Sequence, residues 1–449
     1  MQITQKSADG LAREFSVVVA ADAMEQKISQ RLEEVGQQVR LPGFRPGKVP
    51  MNLLRKRFGD SVRGEVLEKT IDETIQATIT EKSLKPALRP QVDVVDFGEG
   101  KDLQLSLKME ILPDIVAGDF GAIELEKWSA AVDDAAVAGA IDELAKRNRE
   151  SKSVTEPRKA VLRDLLVVEF IGRIEGKPFE GGTSKNSFIE LGAGRFIAGF
   201  EDQMIGSSVG DTVMVKVKFP PDYGVKEIAG KDAEFEVKVK ELREIVDSEI
   251  NDDFARKVGA ADVEDLKKKT RESLQRSYDR LSRLRLKRQL LDKLASGHEF
   301  PVPNGMVEAE FNAIWRQIEQ AKTAGRLDAE DAGKSDDQLK TEYRAIATRR
   351  VRLGLLLSDV GQKNNILVTQ EELTNAAVSE AMLYPGQEQA ILNYYRNNPG
   401  SMDSLRPPVF EDKVVDFVLE LAKVATKAVS YDELKADTET PPDITDALK

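Results

Sequence analysis

No cysteine occurs among the 449 residues, and His298 is the only histidine. The first absence excludes a disulfide framework, a thiolate nucleophile and a thiolate zinc site. The second removes His-dependent triads, proton relays and multi-histidine metal centres, so neither cofactor nor metal is expected. No run approaches the ~20 apolar residues that a membrane helix needs. The opening MQITQKSADG lacks the basic start and apolar core of a secretory signal, and a cytoplasmic protein without a membrane partner is expected. Positive charge is also in deficit: the net charge of −12 argues against general nucleic-acid affinity, so any RNA contact must come from a local patch. With 41% hydrophobic and 32% charged residues, the chain is expected to form about three domains with a highly solvated surface.

The N-terminal third reads as a compact α+β domain. Phe15–Ala20 has strand character, and Met24, Ile28, Leu32, Val35 and Val39 mark one face of a helix. A second helix is predicted from about Pro50 to Glu81, with Leu54, Phe58, Val62, Val66, Ile71, Ile75 and Ile79 on its apolar side. Two strands follow, the second at Leu103–Ile111, where apolar and polar residues alternate. Between the helices, Leu41-Pro-Gly-Phe-Arg-Pro-Gly-Lys-Val-Pro50 holds too much proline and glycine for a helix or a regular strand. Residues 41–60 carry Arg45, Lys48, Arg55, Lys56 and Arg57 against only Asp60. Phe44 beside Arg45 pairs an apolar anchor with a planar cation, residue types enriched at binding hot spots. An ordinary solvated loop would have the same composition.

The middle of the chain changes character. Residues 115–153 begin irregularly and continue as an Ala-rich helical stretch, read as a connecting arm. From Leu162 to about Glu244, short alternating strands such as Val213–Phe219 and Phe235–Val239 are separated by glycine turns. Gly192-Ala-Gly194 lacks the third glycine and the βαβ context of a phosphate loop. From Ile250 onward the pattern is almost wholly helical, with predicted helices at about Ala261–Ser296, Met306–Ala324, Asp336–Lys363, Thr369–Met382 and Phe410–Ala428. Asn393–Pro408 is broken by prolines, and the tail from about Lys435 is expected to be disordered. His298, beside Pro301 and Pro303, is read as structural.

Two resemblances rest on these residues. Gly43-Phe-Arg-Pro-Gly-Lys-Val-Pro50 resembles the ribosome-docking signature of the trigger factor family, and Gly43, Phe44, Arg45, Gly47 and Lys48 fall on its docking positions. The segment through Val168-Glu-Phe-Ile-Gly172, Gly176-Lys-Pro-Phe-Glu-Gly181, Phe196-Ile-Ala-Gly-Phe200, Phe219-Pro-Pro-Asp-Tyr-Gly224 and Phe235-Glu-Val237 resembles FK506-binding-protein prolyl isomerases. That family's pocket positions fall on Phe170, Phe179, Glu180, Phe196, Ile197, Phe200, Tyr223 and Phe235, with Phe200 where tryptophan is common and Glu180 where aspartate is common.

The resemblances imply a multidomain α+β protein: a ribosome-binding domain (1–114), a helical linker arm (115–154), an FKBP-like β-rich isomerase domain (155–245), all-α substrate-binding arms (246–432) and a tail (433–449). Implied partners are the ribosomal large subunit near the exit tunnel, through a protein and local ribosomal RNA, and nascent or unfolded chains. A homodimer off the ribosome is left open. Met306, Phe311, Ile314, Trp315, Met382, Leu383 and Tyr384 are expected to be exposed and to contact substrate. The opposing expectation is an interaction scaffold with a degenerate isomerase domain that clamps folded partners.

Overall fold

The computed structural model describes every residue except 40, 43, 45–47, 99, 221, 222, 224, 226, 227, 329 and 440–449. Its contacts form two units, Met1–Ser129 with Leu281–Lys449, and Ala130–Arg280.

The first unit opens with strands β1 (Gln2–Asp9) and β2 (Ala12–Val19), helices α1 (Ala21–Gln38) and α2 (Met51–Glu81), and strands β3 (Gln91–Asp96) and β4 (Leu103–Glu110). The strands make an antiparallel sheet in the order β1-β2-β4-β3. Its inward residues Phe15, Val17, Leu103, Leu105 and Leu107 are completely buried with Leu32 of α1. In its second half, α2 buries Thr70, Thr74 and Thr78 alongside Ile75, while Ile71 and Ile79 are only partly covered. The Thr78 hydroxyl donates to the Thr74 carbonyl at 2.8 Å, which lets a polar group enter the core with its hydrogen bond satisfied.

Strand β5 (Glu124–Ser129) follows in a stretch expected to be irregular. The second unit then runs through α3 (Asp134–Arg147), β6 (Glu150–Ser153), β7 (Asp164–Ile174), β8 (Lys177–Glu190), β9 (Thr212–Lys218), β10 (Asp232–Val246) and α4 (Asp252–Lys257). Central strand β10 pairs antiparallel with β7 on one side, and with β9 and then β6 on the other. Apart from this sheet, Val137, Ile141 and Ala145 of α3 share a small core with Phe254, Ala255 and Leu266.

The rest is helical: α5 (Val263–Gly297), α6 (Asn304–Thr323), α7 (Asp336–Lys363), α8 (Gln370–Ala381), α9 (Glu388–Asn397), α10 (Pro399–Asp403) and α11 (Arg406–Leu421), then strand β11 (Lys423–Ala428) and α12 (Tyr431–Glu439). Thr369 and Glu372 form the capping box that their spacing predicts. His298 is structural: its Nε2 accepts the Gly118 N–H at 3.0 Å and its Nδ1 lies 2.9 Å from the Leu294 carbonyl, as the neutral ring allows. The Glu110 carboxylate, at the end of β4, caps α6 by accepting the N–H groups of Asn304 at 3.0 Å and Gly305 at 2.7 Å.

Three expectations for the C-terminal part are corrected. The helix at 410–428 stops at Leu421, because Lys423–Ala428 pairs in parallel with β5, with every one of its residues exposed. Prolines 399, 407 and 408 do not merely break the chain; they sit in the first turns of α10 and α11, where a missing N–H costs nothing. The residues from Lys435 to Glu439 continue α12, anchored by fully buried Leu434; the remainder of the expected disordered tail lies outside the described residues.

Helix α7 supplies a paired test of this packing. A Cβ on Gly361 would collide with the Phe410 ring of α11, whereas one on Gly354 would meet nothing within 4 Å. Gly361→Ala is expected to destabilise this unit by about 1–3 kcal/mol, and Gly354→Ala to stabilise it by about 0.5–1 kcal/mol. Urea unfolding followed by circular dichroism checks both; equal effects of the two changes would refute the packing.

Candidate active site

The β7–β10 sheet gathers seven aromatic side chains on one side. Phe235 on β10 lies in register with Gly172 on β7, and that register is what makes room for rings. A Cβ at Gly172 would approach Phe235 to 2.6 Å and Phe179 to 2.9 Å, and one at Gly182 would approach Phe179 to 2.8 Å. Glycine at these positions lets the Phe179 ring lie flat over the strands. Phe235 meets Phe200 edge-on with centroids 5.3 Å apart, Phe170 at 5.8 Å and Phe179 at 6.0 Å. Phe196 stacks on Phe200 at 5.3 Å, and Phe219 bridges Phe179 at 5.9 Å to Tyr223 at 4.7 Å. Each such contact adds about 0.5–1.5 kcal/mol beyond area burial.

The cluster has a floor and a rim. Phe200 and Phe235 are 1% and 5% exposed and form the floor. Phe170, Phe179, Phe196 and Ile197 are half-buried above them, and Tyr223 is 40% exposed at the edge. Seven of the eight expected pocket residues therefore share one apolar surface. Glu180 is the exception: its side chain is exposed and makes no hydrogen bond or ion pair among the described residues. Phe219, which is not among the eight expected pocket residues, completes the ring contacts.

Glu201 was also missed, and it organises the loop carrying Phe196, Ile197 and Phe200. Its side chain is buried, and its two oxygens accept four backbone N–H groups, from Gly192 at 2.9 Å, Gly194 at 2.9 Å, Arg195 at 2.8 Å and Phe196 at 3.1 Å. Burial pushes the carboxyl pKa up, but the amides outweigh it and hold the group below the ordinary glutamate value. The N–H groups that a phosphate would require at Gly192–Gly194 are thus taken by an internal anion. The only sequence signal was a carboxylate seven residues beyond the Gly192–Gly194 turn.

Such a bowl suits one kind of chemistry. Rotation about an X–Pro bond passes through a twisted amide with less charge separation than the planar form, and uncatalysed it takes ~10–100 s. A water-poor aromatic surface favours that twisted form over the solvated planar amide, without a nucleophile or metal.

Elsewhere, Phe44 is 40% exposed and Lys48 is exposed. Gly43, Arg45 and Gly47 of the expected docking loop lie outside the described residues. Arg55 is engaged by Glu25 and Ser29, leaving Lys56 and Arg57 exposed at the start of α2. Met382, Leu383 and Tyr384 are 68%, 61% and 51% exposed after α8. Phe311 and Ile314 are not exposed as expected: they are buried against Ala347 and Val351 in the α6–α7 core, with Met306 and Trp315 packed at its margin.

Comparison with known proteins matches three consecutive family models. Residues 1–144 match bacterial trigger factor protein, 156–240 FKBP-type peptidyl-prolyl cis-trans isomerase, and 262–420 the bacterial trigger factor C-terminus. The trigger factor of Rhodospirillum rubrum is 48% identical over 438 residues, covering 97% of this chain and 98% of that one. That of Rhodospirillum centenum is 47% identical over 439 residues, covering 98% of each. A solved trigger factor chaperone, described for promiscuous substrate recognition in folding and assembly, aligns at a TM-score of 0.54. It shares 22% identity over 94% of this chain and 99% of that one, a likeness of fold.

Glu201→Gln places an amide against four donors and is expected to destabilise the isomerase unit by about 2–3 kcal/mol at pH 7. Because the folded-state pKa is lowered, the wild-type advantage is full above the unfolded value of about 4.3 and disappears as pH falls through the folded value. Denaturation of both proteins between pH 7 and pH 3 checks this; a gap that widens toward acid would contradict it.

Proposed function

The chain belongs to the bacterial trigger factor family, chaperones with an FKBP-type prolyl isomerase domain, and from that premise we propose how its parts divide the work. The aromatic bowl is the isomerase site, with Phe200 and Phe235 as floor and Phe170, Phe179, Phe196, Ile197 and Tyr223 as the surface that receives the proline. The observation carrying this reading is the continuous ring cluster, whose half-buried members face outward over a buried floor. Glu180 takes no part in the chemistry; Glu201 positions the loop.

The loop Gly43–Lys48 docks the protein on the ribosomal large subunit beside the exit tunnel. Exposed Phe44 inserts as an apolar anchor, and Arg45 and Lys48 meet acidic protein surface or ribosomal phosphate, with Lys56 and Arg57 adding charge nearby. The helical arms hold nascent and unfolded chains. Met382, Leu383 and Tyr384 supply exposed apolar contact, an arrangement suited to loosely specified clients. The working division is 1–114 for docking, 155–245 for isomerisation, and 115–154 with 246–432 for holding chains, all in the cytoplasm. Among the described residues no helix is long and apolar enough to cross a membrane.

Docking and isomerisation should separate. Phe44→Ala, Arg45→Ala and Lys48→Ala together are expected to abolish co-sedimentation with ribosomes while leaving proline-limited refolding rates unchanged. Phe179→Leu with Phe196→Leu should do the reverse, lowering kcat/KM at least tenfold. Retained ribosome binding in the triple variant would remove the docking loop. For the arms, replacing Met382, Leu383 and Tyr384 with serine is expected to halve or more the suppression of aggregation of a denatured test protein. Undiminished suppression would place client contact elsewhere.

A further inference from the structure

The two-stranded sheet β5–β11 has one edge closed and one open. On the closed side, side chains of α5 satisfy the outward main chain of β5. Gln289 accepts the Glu126 N–H at 3.1 Å, Arg285 donates to the Glu126 carbonyl at 3.0 Å, Lys293 donates to the Glu124 carbonyl at 2.5 Å, and Ser282 donates to that of Trp128. Among the described residues no side chain covers β11 in this way. All six of its residues are exposed, and its parallel pairing sends the main chain of Lys423, Ala425 and Lys427 toward β5, as the Lys423 N–H to Ile123 carbonyl bond at 2.9 Å shows. The N–H and C=O groups of Val424, Thr426 and Ala428 therefore point outward, and among the described residues they have no hydrogen-bond partner.

We propose that this outer edge of β11 is a strand-addition site that takes an extended segment of unfolded polypeptide carrying acidic side chains at alternate positions. The unpaired main chain sets the shape of the occupant, since such an edge is completed by another extended backbone at ~4.8 Å spacing. Charge sets its composition. Lys423 and Lys427 lie on one face of β11, and among the described residues neither ammonium makes an ion pair. Lys427 rests over the Trp128 ring at 5.1 Å, and its acidic neighbour Glu433 is already bound to Ser430. Glu124 and Glu126 sit on β5, one strand further from the incoming chain, so the lysines meet it first. The opposite face of the edge offers Val424, 38% exposed, so apolar residues fit between the acidic ones. A second copy of β11 fits less well, because a two-fold pair centred on Ala425 sets Lys423 against Lys427 of the other copy. Recognition through main chain leaves most of the client's sequence free, which deepens the chaperone reading above and rests on it for the identity of the partner.

The test uses the full chain and fluorescein-labelled acetyl-Glu-Val-Glu-Val-Glu-Val-amide, with its Lys-for-Glu counterpart as control, followed by anisotropy. The Glu peptide is expected to bind at least tenfold more tightly than the Lys peptide, and Lys423→Glu with Lys427→Glu should reverse the order. Thr426→Pro removes an outward donor that β5 does not use and should weaken binding at least tenfold, while Thr426→Val, which keeps the N–H, should not. Hydrogen exchange at Val424, Thr426 and Ala428 should slow only when peptide is present. Equal affinities for the two peptides, or binding unaffected by Thr426→Pro in a chain with wild-type circular dichroism, would overturn the proposal. So would protection of these amides that rises with chain concentration alone, the mark of self-pairing. The aggregation assay reads the chaperone reading separately, so failure at this edge leaves it standing.

Discussion

The parallel pairing of Glu124–Ser129 with Lys423–Ala428 is the constraint on which the rest of the molecule depends. It ties a strand from the first third of the chain to one near its end, and their neighbourhood holds the core of Leu125, Leu290, Leu357, Val414 and Val418. Everything between must leave and return. Closing such a long excursion costs little more than closing a short one, about 0.6 kcal/mol per doubling of length. The chain between can therefore carry a whole enzyme, provided that it folds on its own contacts. The separate cores of the β7–β10 sheet and of the α3–α4 pair meet that condition.

Within the inserted enzyme, polar groups serve shape more than reaction. The bowl needs apolar rings at defined angles, and rings need a backbone that cannot drift. Gly172 and Gly182 supply space for Phe179, and the Glu201 carboxylate gathers four amides so that the turn before Phe200 keeps one conformation. A buried anion costs several kcal/mol in desolvation unless fully hydrogen-bonded, and here its hydrogen bonds build the site wall. The same logic recurs at Glu110, which caps α6, and at the side-chain row from Ser282 to Lys293 that closes the edge of β5.

Local signals in the sequence were read well. The limits of α2 and α7 follow from periodicity and caps, Thr369 and Glu372 cap α8 as their spacing predicts, and alternation locates β4, β9 and β10. The aromatic cluster was legible because an ordered set of motifs carries its residues. The errors are of another kind. Strands β5 and β11 are short, and an Ala- and Lys-bearing stretch such as Lys423–Ala428 suits a helix equally well until a partner strand decides. Thr70, Thr74 and Thr78 look like a wet face but are buried, because each hydroxyl finds a partner: Thr78 donates to the Thr74 carbonyl, Thr74 to the Met1 sulfur, and Thr70 accepts from the Lys27 ammonium. Phe311 and Ile314 carry no mark that separates a client contact from a helix–helix contact; burial against α7 decides.

The sequence by itself determined the family, the order of its N-terminal, isomerase and helical parts, and the residue types available for work: aromatics, a basic loop, and no cysteine or histidine pair. Those are properties of composition, spacing and local conformation, which neighbouring residues encode. Only the tertiary structure decided that Lys423–Ala428 is an open strand edge, that Glu201 holds the loop beside the aromatic cluster while Glu180 lies exposed, and which apolar residues of the arms are free. Each of these turns on what a residue meets from far along the chain, and burial and pairing across such distances have no signature in the residues on either side.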